Sequence, residues 1–84
     1  MKGQEKIKEL WKEANEILEA PEEVKEEFEE MINNTILVNQ FNERYPNPTI
    51  KALMHWMAKN ADNDEKEDEI WDYFEAEEFD HILG

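Results

Sequence analysis

The side chains best suited to bind ligands or to react in this 84-residue sequence are its carboxylates, and the densest group of them begins at Asp62. Acids at alternating positions are typical of an EF-hand calcium loop, which also needs a glycine at its sixth position and a glutamate at its twelfth. Counted from Asp62, however, the fifth position is Lys66, the sixth is Glu67 and the twelfth is Tyr73. These three mismatches exclude the motif, and the acidic start of a helix explains the segment better.

Other reactive side chains are scarce. The two histidines, His55 and His81, lie far apart and form no pair at helical spacing, so we expect structural roles for them rather than metal binding. The absence of cysteine and serine removes thiolate zinc sites and thiol or serine nucleophiles. With two glycines, the chain also has no glycine-rich loop to cradle a phosphate. We therefore expect a protein that is not an enzyme and that uses no cofactor or metal.

The charge is distributed unevenly along the chain. The formal net charge is −14, and residues 62–84 alone carry eleven acids against one base. Residues 21–45 carry seven glutamates against two bases, whereas residues 46–61 carry two lysines and no acid. Like charges repel in a compact fold, so such an excess usually persists for solubility or to meet a positively charged partner. It argues against direct binding to nucleic acid or to anionic membranes.

Apolar residues recur at helical spacing through most of the chain, and this periodicity predicts an all-α fold. The sequence includes three tryptophans, four phenylalanines and two tyrosines, which can anchor a small core because each buries a large area. We predict a single acidic domain, a compact bundle of four to five short helices. The approximate bounds are 3–20, 22–33, 35–44, 48–60 and 64–82.

Prolines and asparagines mark the predicted ends of the first helices. Pro21 ends the first pattern because the residue before a proline is disfavoured in helical geometry. Asn33 and Asn34 separate the second helix from the third. Segment 35–44 contains Ile36-Leu37-Val38 and is compatible with a strand or a helix. We prefer a helix because the sequence offers no partner strand.

The later helix starts follow from capping residues. Asn47, with Pro48 behind it, is the expected N-cap of the fourth helix. Asp62 or Asp64 can cap the fifth. The apolar stripe of the fifth helix drifts, which predicts a kink near Glu77–Glu78.

The chain shows no sign of membrane insertion or export. Its longest apolar run is Ile36-Leu37-Val38, far short of the ~18–20 residues that a membrane span requires. The amino-terminal residues alternate charged with apolar types and have no signal-peptide core. We therefore expect a soluble protein of the cytoplasm.

The acids of residues 62–80 favour a binding function. Like charges at i, i+4, such as Asp68 and Asp72, destabilise a helix by ~0.2–0.5 kcal/mol per pair, which suggests a use for them. Our leading hypothesis is that carboxylates occupy a basic, nucleic-acid-binding groove of a target protein by imitating a phosphate path, with nearby aromatic side chains imitating stacked bases. The residues predicted to bind are Glu65, Asp68, Glu69, Asp72 and Glu75, with Glu26, Glu27 and Glu30 as a second patch and Trp56, Tyr73 and Phe79 as aromatics that fit their stripes poorly.

In size, charge and lack of catalytic residues the chain resembles small phage-encoded inhibitors, such as DNA-mimic antirestriction and anti-CRISPR proteins. This resemblance is one of composition over the whole chain, and no motif carries it. It implies an inhibitor acting in the cytoplasm of a host cell. One alternative is a helical adaptor or self-associating module whose contacts are apolar and whose acids only keep it soluble. Its three tryptophans leave room for a homodimer. Another is an antitoxin-like neutraliser of a basic protein.

Overall fold

A computed structural model describes residues 2–79 of the chain. Five α-helices follow one another there: α1 (Lys2–Ile17), α2 (Glu22–Ile32), α3 (Thr35–Arg44), α4 (Ile50–Lys59) and α5 (Asp64–Phe74). Residues 77–79 are also helical, and none of residues 2–79 belongs to a β-strand. The prediction of an all-α fold is confirmed, and segment 35–44 is a helix. No helix in this range is long and apolar enough to cross a lipid bilayer.

Helix α4 is the central element of the bundle. Seven of its ten residues are buried, which exceeds the single apolar stripe of a surface helix. It packs against α1, α2 and α5, while α2 also packs against α3 and α5. The radius of gyration is 11.9 Å, matching the ~12 Å expected for one compact domain of this length. The stretch of sequence around α4, which contains no acid, is therefore the part that the other helices cover.

Aromatic rings connect the helices within the core. Trp11 of α1 stacks on Phe28 of α2 with ring centroids 4.3 Å apart, and Tyr73 of α5 packs obliquely on Trp11. Between α3 and α4, the rings of Phe41 and Trp56 lie 5.1 Å apart. Such pairs stabilise a fold by ~0.5–1.5 kcal/mol beyond the burial of their area. These contacts join α1, α2 and α5 in one aromatic group and α3 and α4 in another.

The cap of α4 differs from the prediction. Thr49, rather than Asn47, is the N-cap, and its hydroxyl accepts a hydrogen bond from Ala52 N at 3.2 Å. The backbone of Thr49 is extended, so the helix begins at Ile50 and Pro48 lies outside it. The physical reason is that a capping side chain must stand directly before the first helical residue to reach the free N–H groups of the first turn.

The cap of α5 also differs. Asn63, rather than Asp62 or Asp64, is the N-cap, and its side chain accepts a hydrogen bond from Lys66 N at 2.9 Å. Asp64 is already the first residue of the helix, where its charge meets the positive end of the helix dipole. Asp62 instead lies near the Lys66 ammonium, as described below.

The fifth helix ends earlier than the sequence predicts. The predicted helix ran to residue 82 with a kink near Glu77–Glu78, whereas α5 ends at Phe74. Glu75 and Ala76 form a turn before the chain becomes helical again. The final predicted residues, 80–82, lie outside the described range. The interruption therefore lies two residues before the predicted kink and is a turn between two helical segments.

The start of α1 approaches α3 closely at Gly3. Asn42 Nδ2 donates a hydrogen bond to Gly3 O at 2.9 Å, and Gln4 Nε2 donates to Ile32 O at 2.6 Å. A Cβ atom at position 3 would lie 2.8 Å from Asn42 Nδ2, so a larger residue there would displace the amide. Glycine is needed here for close approach rather than for an unusual backbone conformation.

A pair of aliphatic truncations tests the central position of α4. Leu53 is fully buried in α4, whereas Ile36 at the start of α3 is 69% exposed. We expect Leu53→Ala to lower the free energy of unfolding by about 2–5 kcal/mol, because it leaves a cavity. We expect Ile36→Ala to change it by less than about 0.5 kcal/mol. Urea unfolding followed by far-UV circular dichroism measures both, and equal losses would contradict this assignment of the core.

Candidate protein-binding surface

A row of exposed carboxylates follows the outer face of α5 and its C-cap. Its members recur every three or four residues, which places them on one side of the helix. At ~1.5 Å of rise per residue, the row extends about 15 Å. We call it the carboxylate ridge, and its members are Glu65, Asp68, Asp72 and Glu75. The sequence predicted all four as binding residues, and the structure brings them together.

No base among the described side chains pairs with the carboxylate ridge. Among the side chains of residues 3–79, the salt bridges are Lys25–Glu19, Lys66–Glu27 and Lys66–Asp62. None of them includes a ridge carboxylate. Lys66, the only base of α5, is turned towards α2. The ridge charges are therefore balanced by solvent ions or by a partner rather than by the described side chains.

Trp71 is half-buried next to the ridge. With Asp68, Asp72 and Glu75 it lines a depression of about 460 Å³, which we call the Trp71 pocket. His55 of α4 packs edge-on against the Trp71 ring, with centroids 5.5 Å apart and planes at 79°. Carboxylates around an aromatic ring suit a lysine or arginine side chain, because charge pairing and the cation–π interaction then act together.

A second depression, of about 450 Å³, also borders Asp72. We call it the linker pocket, because residues 18–21 connect α1 to α2 along its wall. Tyr73 contributes to it, and its hydroxyl donates a hydrogen bond to Leu18 O. Burial raises the pKa of this hydroxyl above its ordinary value, so it stays a neutral donor. The carboxylates that line the linker pocket are Glu19, Glu23, Glu69 and Asp72.

The remaining predicted carboxylates divide into three cases. Glu69 is half-buried and belongs to the linker pocket rather than to the ridge. Glu26 and Glu30 are exposed on α2, as a second patch requires. Glu27 is only 2% exposed, so it is not available to a partner, and its assignment as a binding residue is corrected. The second patch therefore consists of two carboxylates instead of three.

Glu27 is buried because it lies on the apolar face of α2. It follows Val24 by three residues and precedes Met31 by four, and both of these are core residues. Its charge is compensated by Lys66, whose Nζ lies 2.6 Å from Glu27 Oε1. The separation is that of a charge-assisted contact, although its angles fall outside those of a hydrogen bond. Because Lys66 Nζ and Glu27 Oε1 lie so close together, the two side chains form an ion pair between α2 and α5.

Lys66 lies within a group of three carboxylates. Oxygens of Glu27, Glu30 and Asp62 are all within 4.8 Å of one another, a grouping that could hold a metal ion. Lys66 Nζ, however, contacts Glu27 and lies 3.7 Å from Asp62 Oδ2. The contact with Glu27, and then its charge, raise the pKa of Lys66 above its ordinary value, and the charges of Asp62 and Glu30 add to this. We assign the group to the ammonium, which supplies the positive charge that these carboxylates need.

The three aromatic residues predicted to bind a partner are buried. Trp56 is 5% exposed, Tyr73 is 4% exposed and Phe79 is fully buried, so their assignment as exposed interface residues is corrected. Trp56 packs on Phe41. Phe79 lies 5.2 Å from Tyr73 and 5.5 Å from Phe74, measured between ring centroids. If α5 continued straight to residue 79, the Phe79 side chain would point about 140° away from that of Phe74 around the helix axis. The turn at residues 75–76 instead allows the two rings to pack together.

Trp71 is the residue that the sequence argument missed. It is absent from the predicted binding residues, yet acids stand three positions before it, one after it and four after it. Those offsets put Asp68 and Glu75 on its own side of the helix. The spacing was therefore a signal for an aromatic ring among carboxylates. The glutamates of the linker pocket gave no such signal, because the packing of α5 against the start of α2 brings them together.

The Glu27–Lys66 pair can be tested against an exposed pair with a similarly exposed lysine. The side chains of Lys66 and Lys25 are 38% and 36% exposed, but their partners Glu27 and Glu19 are 3% and 77% exposed. We expect Lys66→Met to lower the melting temperature clearly more than Lys25→Met, because only the first leaves a buried carboxylate without a counter-charge. Adding Glu27→Leu to Lys66→Met should then restore most of the loss. Equal effects of the two single variants in calorimetry would contradict the assignment.

The same pair has a defined pH dependence. A lysine whose pKa is raised in the folded state stabilises the fold fully below its unfolded pKa, near 10.5, and loses that contribution as pH rises through the folded pKa. We expect the stability difference between the wild type and Lys66→Met to be constant between about pH 7 and pH 9 and to shrink above pH 10.5. Urea titrations at each pH measure it, and a difference that grows at high pH would refute the ion pair.

Comparison with known proteins supplies no relative from which a function could be transferred. No protein-family model matches the sequence, and no curated protein or solved structure matches it either. A functional proposal for this chain therefore rests on the geometry and charges of its own residues.

Proposed function

We propose that the protein is a small inhibitor that binds the basic, nucleic-acid-binding surface of a target protein. The observation that supports this best is the Trp71 pocket, in which an accessible ring stands among Asp68, Asp72 and Glu75. None of these carboxylates is paired with a described cation. An uncompensated row of charge with an aromatic ring beside it presents the two features that nucleic-acid-binding proteins recognise in a strand.

The carboxylate ridge can compete for cations that otherwise hold phosphates. Its members follow one another at about 5 Å of helix rise, while one DNA strand presents a phosphate every ~3.4 Å of axis. Lysine and arginine side chains are long enough to accommodate this difference in spacing. Arginine can pair with a ridge carboxylate through two parallel hydrogen bonds, while its guanidinium plane stacks on Trp71. A target bound in this way has its cations occupied, so nucleic acid is excluded by competition.

The alternatives differ in the support they receive from the surface. An adaptor with an apolar interface needs exposed hydrophobic area, yet Ile36 is the one large hydrophobic side chain classed as exposed among the described residues. This favours a charged interface over an apolar one. An antitoxin-like neutraliser would use the same carboxylates and differs from a nucleic-acid mimic only in its target. Displacement by DNA separates these two.

Two triple variants with the same net charge provide the test. Asp68→Asn/Asp72→Asn/Glu75→Gln removes three charges from the Trp71 pocket and the ridge. The control removes three exposed charges from α1, through Glu9→Gln, Glu13→Gln and Glu16→Gln. Both change the net charge from −14 to −11, so a difference between them reports position rather than total charge.

We expect the tagged wild type and the α1 control to retain a basic protein from a nuclease-treated lysate of the producing cell, and the ridge variant to lose it. The recovered protein is then purified, and its binding to labelled duplex DNA is measured with increasing amounts of each chain. The ridge variant should compete at least about tenfold less well, a loss of ~1.4 kcal/mol, and 0.5 M salt should abolish competition by all three. A partner that ignores both DNA and salt would contradict the proposal and favour the apolar adaptor.

The aromatic component has its own variant. We expect Trp71→Leu, which keeps apolar volume but removes the π face, to weaken competition about twofold to fivefold, because an exposed cation–π contact contributes ~0.5–1 kcal/mol. Leu18→Ala serves as a comparison, since it alters the linker pocket without touching the ring. If Trp71→Leu binds as tightly as the wild type, the ring is only a spacer between carboxylates.

A further inference from the structure

A groove of about 890 Å³ lies between the end of α3, the second half of α4 and the middle of α5. Four aromatic residues contribute to its walls. Two of them, Tyr45 and Trp71, are half-buried, and the other two belong to the core. We call it the aromatic groove, and the residues used below are Phe41, Arg44, Tyr45, Trp56, Lys59 and Trp71. Its volume is typical of sites that enclose a ligand or the anchor side chains of a partner.

The aromatic groove differs in charge from the Trp71 pocket and the linker pocket. Arg44 and Lys59 line it, whereas the Trp71 pocket and the linker pocket are lined by no base. Arg44 lies over the Tyr45 ring, 5.9 Å from its centroid, which holds the guanidinium at the groove. Neither base forms a salt bridge with a described side chain, although Glu43 and Glu67 also line the groove. Two positive charges are therefore free to meet a partner.

Trp71 belongs to both the aromatic groove and the Trp71 pocket. The two sites are therefore continuous at Trp71: unpaired carboxylates surround the ring in the Trp71 pocket, and the aromatic groove adds the cations of Arg44 and Lys59 beside Glu43 and Glu67. A partner that covers this surface must present the complementary order: cations, an apolar side chain and carboxylates. This order is more specific than a basic groove alone, whose cations would face Arg44 and Lys59 unfavourably.

We propose that the aromatic groove holds an apolar side chain of the protein bound by the carboxylate ridge, and that Arg44 and Lys59 pair with a carboxylate next to that side chain. This inference rests on the proposed function and adds an acidic, apolar border to the basic surface of the target. The inhibitor then binds the basic groove of the target together with this border. Such bipartite recognition distinguishes one target from other cationic surfaces, because a purely basic protein would place its own cations against Arg44 and Lys59.

The sign of a charge reversal distinguishes this proposal from simple imitation of phosphates. Arg44→Glu/Lys59→Glu changes the net charge from −14 to −18. A surface that only imitates phosphates should bind its partner equally well or more tightly after this change. The bipartite surface should bind less tightly, because two favourable pairs become repulsive. The control is Lys8→Glu/Lys12→Glu, which makes the same change in net charge on the exposed side of α1.

Three synthetic peptides serve as defined probes in fluorescence anisotropy with the full chain. The first carries four arginines, then three apolar residues including one phenylalanine, then two glutamates. The second has the same residues with the glutamates placed next to the arginines, and the third consists of arginine alone. We expect the first peptide to bind the wild type most tightly. Arg44→Glu/Lys59→Glu should weaken that binding about tenfold, as two reversed contacts of ~0.7 kcal/mol each would, and should not weaken the all-arginine peptide.

Indole resonances locate the contact independently. Trp11 lies outside the groove, whereas Trp56 and Trp71 line it, and the buried Trp56 Nε1 has no hydrogen-bond partner. In ¹⁵N spectra the first peptide should shift the Trp56 and Trp71 indole signals and leave Trp11 in place. Shifts of these signals on dilution without peptide would show that a second copy occupies the groove and would overturn the proposal.

The outcomes separate this inference from the proposed function. Suppose that the ridge variant no longer binds the all-arginine peptide, while Arg44→Glu/Lys59→Glu binds the first peptide as tightly as Lys8→Glu/Lys12→Glu does. The ridge then functions as proposed, and the groove proposal is refuted. If the ridge variant binds all three peptides like the wild type, the proposed function itself is refuted. A specific loss of the first peptide with Arg44→Glu/Lys59→Glu supports both.

Discussion

The fold depends on bringing two strongly acidic helices together. Helices α2 and α5 each carry six acids and one lysine, yet they pack against one another. Their mutual repulsion is reduced where Lys66 lies against Glu27 and near Asp62. Because Glu27 is buried, the pair also supplies the counter-charge without which a carboxylate in this core would be strongly destabilising. The remaining acids can then face outwards, as the apolar residues of both helices hold the interface together.

This arrangement sorts the charges of the molecule by position. The lysine of α5 contacts Glu27 of α2, so the carboxylates on the outer face of α5 have no cationic partner among the described side chains. The bases that end α3 and α4 line the aromatic groove instead. Trp71 lines both the aromatic groove and the pocket beside the carboxylate ridge. The surface of an acidic protein thus contains a short region where bases balance the acids, and the proposed interface joins that region to the carboxylate ridge.

Local signals predicted the helices, whereas tertiary packing decided the site. The apolar period and Pro21 were enough to place α1 and α2, because both act within a few residues. The burial of Glu27 could have been inferred from its place between Val24 and Met31. The burial of Phe79 could not, because it depends on the turn at residues 75–76, which no proline or glycine marks. The linker pocket and the aromatic groove escaped prediction for a related reason, since their walls come from segments distant in sequence.

The packing of α2 on α5 links the folding of this protein to the ionic composition of its surroundings. Added salt screens the repulsion between exposed acids, with a Debye length that falls from ~10 Å at 0.1 M to ~3 Å at 1 M. The Glu27–Lys66 contact, whose carboxylate is buried, is screened less than the repulsion between exposed acids, so we expect the native state to become more stable as salt is added. Attraction to a basic partner weakens over the same interval. Conformational stability and affinity for the proposed basic partner are therefore expected to respond to electrolyte in opposite directions, with the tightest binding in the dilute medium where the chain is least stable.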